Sequence, residues 1–200
     1  MYCPVRETFI APESSPGTRK EEETVMEYQE AQHLPHLNAS GQAHMVDITG
    51  KQPTVREARA RAFVQCSPQI MAALRAGEVP KGDALAVARI GGIAASKRTP
   101  LLLPLAHPIG VHYCAVDIRL AEDGVEILAT CRTADRTGIE MEALTAASVA
   151  ALNLIDMVKG VDKRVSIREC YVLEKRGGRS GTWVRPGCEQ ETAAKEVNHD

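Results

Sequence analysis

Apolar and polar positions alternate from Glu57 to Gln65, with Phe63 the one apolar residue on the polar side. Ala58, Ala60, Ala62 and Val64 fall on one side, and Glu57, Arg59, Arg61, Phe63 and Gln65 on the other. A period of two marks a strand, because successive side chains of extended backbone point to opposite faces. Thr54-Val55-Arg56-Glu57 also fits a helix capping box, but the alternation that follows favours the strand. Ser67-Pro68 then opens a short helix, with Ser67 as its cap, that runs to about Ala76 and is ended by Gly77. A second helix is predicted from Asp83 to Arg98, with Gly91-Gly92 mid-way. Each helical glycine costs about 1 kcal/mol against alanine, so the pair signals a close approach of another backbone, or a kink. Pro100, Pro104 and Pro108 make the next segment a loop.

Two more alternating runs follow. Cys114, Val116, Ile118 and Leu120 share one face of the first, and Val125, Ile127, Ala129 and Cys131 one face of the second. Asp123-Gly124 between them is a hairpin signal. A long helix is predicted from Ile139 to Lys159, with Met141, Leu144, Ser148, Leu152 and Ile155 as its buried stripe. The last strand spans Val165 to Leu173, with Val165, Ile167, Tyr171 and Leu173 on one face and Glu169 breaking the pattern. The order β-α-β-β-α-β is that of a split βαβ unit: an α+β fold with an antiparallel sheet and helices packed on one face.

Composition narrows the class. The 200 residues are 44% apolar but only 4% aromatic, so the core must be built from Ala, Val, Ile and Leu. Residues 1–37 and 186–200 are turn-rich or charged and read as flexible tails, which leaves 38–185 as the folded domain. A formal charge of −2 argues against a general nucleic-acid binder. No signal peptide is expected, and the apolar run Ala143 to Ile155 is shorter than the roughly 20 residues a bilayer requires. A cytoplasmic protein with no membrane partner is the expectation. Six cysteines include no C-x-x-C pair, so they read as reduced thiols rather than metal ligands or a disulfide framework.

Three features could carry chemistry. Asp156 and Lys159 are neighbours on one helix face; they fit an ordinary surface ion pair or a proton donor–acceptor pair. Glu142 lies fourteen residues earlier, about 21 Å along a straight helix, too far to act on the same bond. It would touch the other end of a large ligand, or serve a different site in an oligomer. His107 stands in the proline-stiffened loop Leu105-Ala106-His107-Pro108, either as a proton carrier or as a structural residue. Finally, Lys and Arg sit beside glycines at several turns: Lys81-Gly82-Asp83, Arg136-Thr137-Gly138 and Lys175-Arg176-Gly177-Gly178-Arg179. Such turns suit phosphate oxygens, although surface solvation accounts for each one singly. Neither a P-loop nor a G-x-G-x-x-G motif is present.

Taken together, these strings resemble the cyclic pyranopterin monophosphate synthase family of molybdenum-cofactor biosynthesis. The matches are Ala43-His44-Met45-Val46-Asp47, the Thr54–Phe63 run, Lys81-Gly82-Asp83, Lys97-Arg98-Thr99, Leu105-Ala106-His107-Pro108, the helix from Thr137 to Leu152, Asp156-Met157-Val158-Lys159 and Gly177-Gly178-Arg179-Ser180-Gly181. The resemblance implies a ferredoxin-like subunit in a homohexamer, a trimer of dimers, with sites at subunit contacts. It implies a lyase that converts a cyclised dihydro-GTP into cyclic pyranopterin monophosphate and diphosphate. Asp156 and Lys159 match the catalytic acid–base pair, and Lys81 and His107 match residues at the reacting substrate. Leu105, Ala106, Glu140, Met141 and Glu142 match substrate-contacting positions, as do Arg56, Lys175 and Asp47. No resident cofactor is implied; Mg²⁺ is a possible companion of the triphosphate. The family usually has Cys where Ala106 stands. Two other readings are a nucleotide-binding regulatory subunit that has lost activity and a structural oligomerisation module.

Overall fold

A computed structural model describes residues 40–189. The readings of 1–37 as a tail and of the last eleven residues as part of another lie outside the described residues. The chain divides after His44, and the unit that begins at Met45 is the one considered below.

Its elements are β1 (Thr54–Gln65), α1 (Pro68–Ala76), α2 (Ala84–Ser96), α3 (Thr99–Leu102), β2 (Tyr113–Leu120), β3 (Gly124–Asp135), α4 (Glu140–Val158), β4 (Ser166–Arg176) and β5 (Trp183–Val184). The five strands form one sheet in the order β2-β3-β1-β4-β5, with every pairing antiparallel. The first four strands have the ferredoxin-like order, and the helices pack on one face. The fold is α+β.

β1 is the central strand. Ala58, Ala60, Ala62 and Val64 are fully buried toward the helices. They meet Ala143, Ala146, Ala147, Ala150 and Ala151 of α4, also fully buried. Alanine against alanine brings helix and sheet close together, which is how a core with few aromatics reaches native packing density. On the opposite face, Arg59 and Glu174 form a buried ion pair at 3.1 Å. Arg61 pairs with Glu126 at 3.1 Å, and the Arg168 guanidinium lies 4.1 Å over the Phe63 ring.

The local signals act as read. Ser67 Oγ accepts from Ile70 N, Pro68 sits in the first turn of α1, and Gly77 ends the helix at φ 70°. Asp83 Oδ1 accepts from Ala86 N at the start of α2. Gly91 and Gly92 mark a close approach: a Cβ on Gly92 would lie 2.7 Å from the Ala146 carbonyl oxygen, and one on Gly91 2.4 Å from Asn153 Nδ2. At the hairpin, Gly124 has no positive φ. It is glycine because a Cβ would sit 2.4 Å from the Val64 carbonyl oxygen and 2.6 Å from the Phe63 ring.

Three readings are corrected. The segment after α2 is not all loop: Thr99–Leu102 forms a helical turn with Pro100 near its start, where the missing N–H is not needed. The buried side of α4 is not the Met141–Ile155 stripe. Met141 and Leu152 are 42% and 56% exposed, and the alanines with Leu154 and Val158 are buried instead, Ala146 and Ala150 against Gly92 of α2. The small residues fit the alanine surface of β1, and the bulkier ones are turned away. In β4, register shifts opposite Arg59/Ala60 and Phe63/Val64 break the simple alternation. Tyr171 pairs with Arg61 and Ile167 with Val64, so the two lie on opposite faces. The shift also explains why Glu169 breaks the pattern.

Candidate active site

The C-terminal end of α4 carries a three-residue charge cluster. Asp156 Oδ1 lies 2.8 Å from Lys159 Nζ. Asp156 Oδ2 lies 2.8 Å from Lys81 Nζ, which also donates to the Asp156 backbone carbonyl at 2.7 Å. Lys81 is set there by the turn between α1 and α2, where Gly82 takes φ 98°. The three side chains are about half exposed. Hydrogen bonds from Lys159, then from Lys81, pull the Asp156 carboxyl down to about 2. It is therefore ionised at neutral pH, a carboxylate held between two ammonium groups. As a carboxylate it can only accept a proton, and the two ammoniums weaken it as a base, while they themselves can donate to, or neutralise, an incoming anion.

A second group of predicted residues gathers at the other end of α4, where β3 leads into that helix. Arg56 grips the connection, with Nε donating to the Asp135 carbonyl at 3.0 Å and a terminal nitrogen to that of Arg136 at 3.4 Å. Gly178 makes room for it, since a Cβ there would meet the Arg56 guanidinium at 2.3 Å. Lys175 pairs across the sheet with Ala58 and donates to the Ser180 hydroxyl. The loop before β2 is fastened to the same end: Thr133 Oγ1 donates to the Gly110 carbonyl at 2.7 Å, and His112 N to that of Arg132 at 3.0 Å. Within this loop His107 Nε2 lies 2.7 Å from the Val46 carbonyl oxygen. A carbonyl only accepts, so Nε2 bears the hydrogen and, in the neutral ring, Nδ1 is the free acceptor. Leu105 and Met141 are 44% and 42% exposed, and Ala106 is half-buried. The Glu140 carboxylate folds against Gly138, where no Cβ would fit. Asp47 Oδ1 accepts from Thr49 N at 2.8 Å and caps its own turn.

Glu142 differs from its neighbours. It is 3% exposed, and burial pushes its carboxyl up to about 7, with its own backbone N–H offsetting part of that rise. It also does not share the face of Asp156: Glu142 is buried, whereas Asp156 is exposed. A carboxyl that exchanges its proton near neutral pH suits general acid–base work.

One chain thus brings Lys81, Asp156 and Lys159 together, and separates them from the Glu142 end by the length of α4. Sequence reasoning placed Lys81 and Lys159 in the same chemistry but not in contact through one carboxylate. It also missed the ties from Thr133 to Gly110 and from His107 to Val46, which join residues far apart in the chain. Among the described residues, no group of three or more His, Cys, Asp or Glu side chains could hold a metal ion. α4 is long and apolar enough to cross a membrane, but its apolar side chains are those of a core helix buried between the sheet and α2.

Comparison with known proteins shows the family. The model of the MoaC family matches residues 45–178. A cyclic pyranopterin monophosphate synthase of Streptomyces avermitilis is 57% identical over 152 residues, covering 76% of this chain and 89% of that protein. Proteins of the same name from Geobacter metallireducens and a Roseiflexus species are 51% and 52% identical, covering 75% and 76% of this chain and 95% and 97% of their own lengths. The two lysine–aspartate contacts and the buried glutamate all fall within the matched region, and the chain belongs to the MoaC family.

Proposed function

We propose that this protein is a cyclic pyranopterin monophosphate synthase. It is a phosphorus–oxygen lyase that converts (8S)-3′,8-cyclo-7,8-dihydroguanosine 5′-triphosphate into cyclic pyranopterin monophosphate and diphosphate. The observation that carries the reading is the Lys81–Asp156–Lys159 cluster, intact in a chain about half identical to proteins of that name over most of its folded unit. A regulatory subunit that had lost activity would have no need to keep it.

The chemistry divides between the two ends of α4. Opening and reclosing the ring system moves protons at the base and sugar, and Asp156, as a carboxylate flanked by ammoniums, can take and return them. Lys159 and Lys81 supply protons and hold developing negative charge. A sugar hydroxyl then attacks the α-phosphorus, and diphosphate leaves toward fixed cations, among which Arg56 and Lys175 are placed to serve. Glu142 exchanges its proton near neutrality, His107 offers its Nδ1 as an acceptor, and Leu105, Ala106, Glu140 and Met141 border the substrate. Any Mg²⁺ enters with the triphosphate, held by its phosphate oxygens.

About 21 Å of helix separates Glu142 from Asp156, so one site of this size draws its ends from two copies of the chain. The partially exposed Met141, Leu144, Leu152 and Ile155 face of α4 gives the second copy an apolar surface to cover. A homohexamer of three such dimers, cytoplasmic and acting on a small molecule with no nucleic-acid or membrane partner, completes the reading. The test is incubation of the purified protein with the cyclised dihydro-GTP under reducing conditions. Release of diphosphate with formation of the cyclic monophosphate pterin is expected. No turnover by intact protein would favour the inactive regulatory reading instead.

A further inference from the structure

Under the first turns of α4 one row of the sheet runs Lys175, Ala58, Cys131, Cys114 through four neighbouring strands. Cys131 and Cys114 are directly opposite each other on the helix-facing side. The hairpin bond from Ala121 N to the Gly124 carbonyl sets the ladder's alternation. Counted from it, the Cys114–Cys131 pair falls at non-hydrogen-bonded positions, where opposed Cα atoms are about 4.5 Å apart and side chains are closest. A disulfide spans Cα separations of about 4.4–6.8 Å, so a bond between these sulfurs needs no movement of either strand.

The two thiols are unequal. Cys131 is fully buried and Cys114 partly exposed. Hydrogen bonding from the Cys131 thiol, then from Ser96, with a smaller contribution from the Lys97 charge at the end of α2, brings Cys114 down to about 7 against the effect of burial. The same contact, with burial and the nearby Glu142 charge, pushes Cys131 up. One accessible sulfur thus ionises readily, and a protonated one waits beside it. That is the arrangement of an attacking and a resolving thiol. Cys66 makes the contrast: buried, pushed up to about 11 and opposite no other cysteine.

We propose that Cys114 and Cys131 form an oxidisable dithiol that closes to a cross-strand disulfide beside Glu142 and slows the enzyme. With a hydroperoxide as oxidant, the Cys114 thiolate attacks one peroxide oxygen, and the O–O bond breaks. Hydroxide leaves and takes up the proton that Cys114 had shed, giving water and a sulfenic acid. The Cys131 sulfur then attacks the Cys114 sulfur, the S–O bond breaks, and a second water leaves with the Cys131 proton. Two electrons pass from the two thiols to one peroxide. The bond draws the Cys114 sulfur from Lys97, whose segment runs directly into α3 and the His107 loop, and fixes Cys131 beside Glu142. Its effect on turnover rests on the synthase reading; the bond itself does not.

The experiment treats the reduced full-length protein with hydrogen peroxide, alkylates remaining thiols after denaturation, and maps peptides without reduction. A Cys114–Cys131 linked peptide, lighter by two hydrogens, is expected, together with a severalfold fall in turnover that dithiothreitol reverses. Cys114→Ser should keep its reduced-state turnover and lose the peroxide response. Cys131→Ser should hold Cys114 as a sulfenic acid that dimedone captures. Full alkylation of both cysteines, or linkage of either to Cys170 or Cys188 instead, overturns the proposal; so does a Cys114–Cys131 disulfide that leaves turnover unchanged. If the reduced protein has no turnover, the synthase reading fails, and the linked peptide alone decides whether the dithiol exists.

Discussion

Lys81 Nζ reaches Asp156 from seventy-five residues away and donates to both its backbone carbonyl and its Oδ2, at 2.7 and 2.8 Å. The carboxylate's other oxygen is held by Lys159, one turn further along the same helix, at 2.8 Å. Spacing alone left Asp156 and Lys159 readable as an ordinary ion pair. A second ammonium on one exposed carboxylate is more than a helix needs for stability, since exposed ion pairs contribute about 0–1 kcal/mol each.

The cluster's contribution should therefore appear in turnover and not in folding. Asp156→Ala and Lys159→Ala are each expected to lower kcat by about 10²–10⁴-fold, the range of general acid–base catalysis. Their thermal midpoints should stay within about 2 °C of the parent, because exposed substitutions cost little. Steady-state kinetics with differential scanning fluorimetry checks both. A near-normal rate in either variant removes that residue from the mechanism.

Glu142 gives stability a pH dependence of defined sign. Its usual value is 4.5, and in the fold it ionises near 7. Between those values the unfolded chain has lost the proton and the folded chain retains it. Stability from this group is thus fully present below about 4.5, falls as pH rises through 7, and then levels off. Glu142→Gln cannot ionise and should lack that fall. Relative to the variant, the parent should lose on the order of 3 kcal/mol between pH 5 and 8. Urea unfolding of both proteins across that range measures the difference. Parallel curves would show that the carboxyl is not held neutral by burial.

The contact between α2 and α4 should be intolerant of one methyl group. In Gly92→Ala the new Cβ would meet the Ala146 carbonyl oxygen at 2.7 Å, and backbone cannot swing aside. A loss of about 1–3 kcal/mol is expected. Gly91→Ala meets the end of the Asn153 side chain, which can rotate at the expense of its bond to the Val149 carbonyl. Its loss should be smaller. Equal losses in chemical denaturation would contradict the geometry.

How much of this could be read from the chain follows from range. The strand β1, the ends of α1 and α4 and the hairpin are set by neighbours within a few residues, and alternation, caps and turn residues announced them. The buried face of α4 did not announce itself. Ala143, Ala146 and Ala150 carry less apolar surface than Met141 and Leu152, so hydrophobicity pointed to the larger residues. Only the alanine surface of β1 and the close approach of Gly92 of α2 make the small residues the ones that fit. The bulges in β4 depend on its partner strand and had no local signal beyond Glu169. At the site, the Asp156–Lys159 pair was visible from spacing, whereas the arrival of Lys81 needed the tertiary fold. The Cys114–Cys131 pairing was not legible from the Asp123-Gly124 signal: with those two residues as the loop Cys114 would face Thr133, whereas the loop is Glu122-Asp123 and the register brings Cys114 opposite Cys131.

The claim on which the functional account turns is that Asp156 of one copy works with His107 and Glu142 of another. Co-expression of Asp156→Ala with His107→Ala chains, purified through two different tags so that both are present, measures it directly. Each variant alone should be inactive. In a mixed dimer one site carries both substitutions and the other carries neither. Random assembly should thus restore about a quarter of the parent's diphosphate release, and mixed dimers about half. Mixed dimers as inactive as the single variants would mean that both residues act within one chain, and would contradict the shared site.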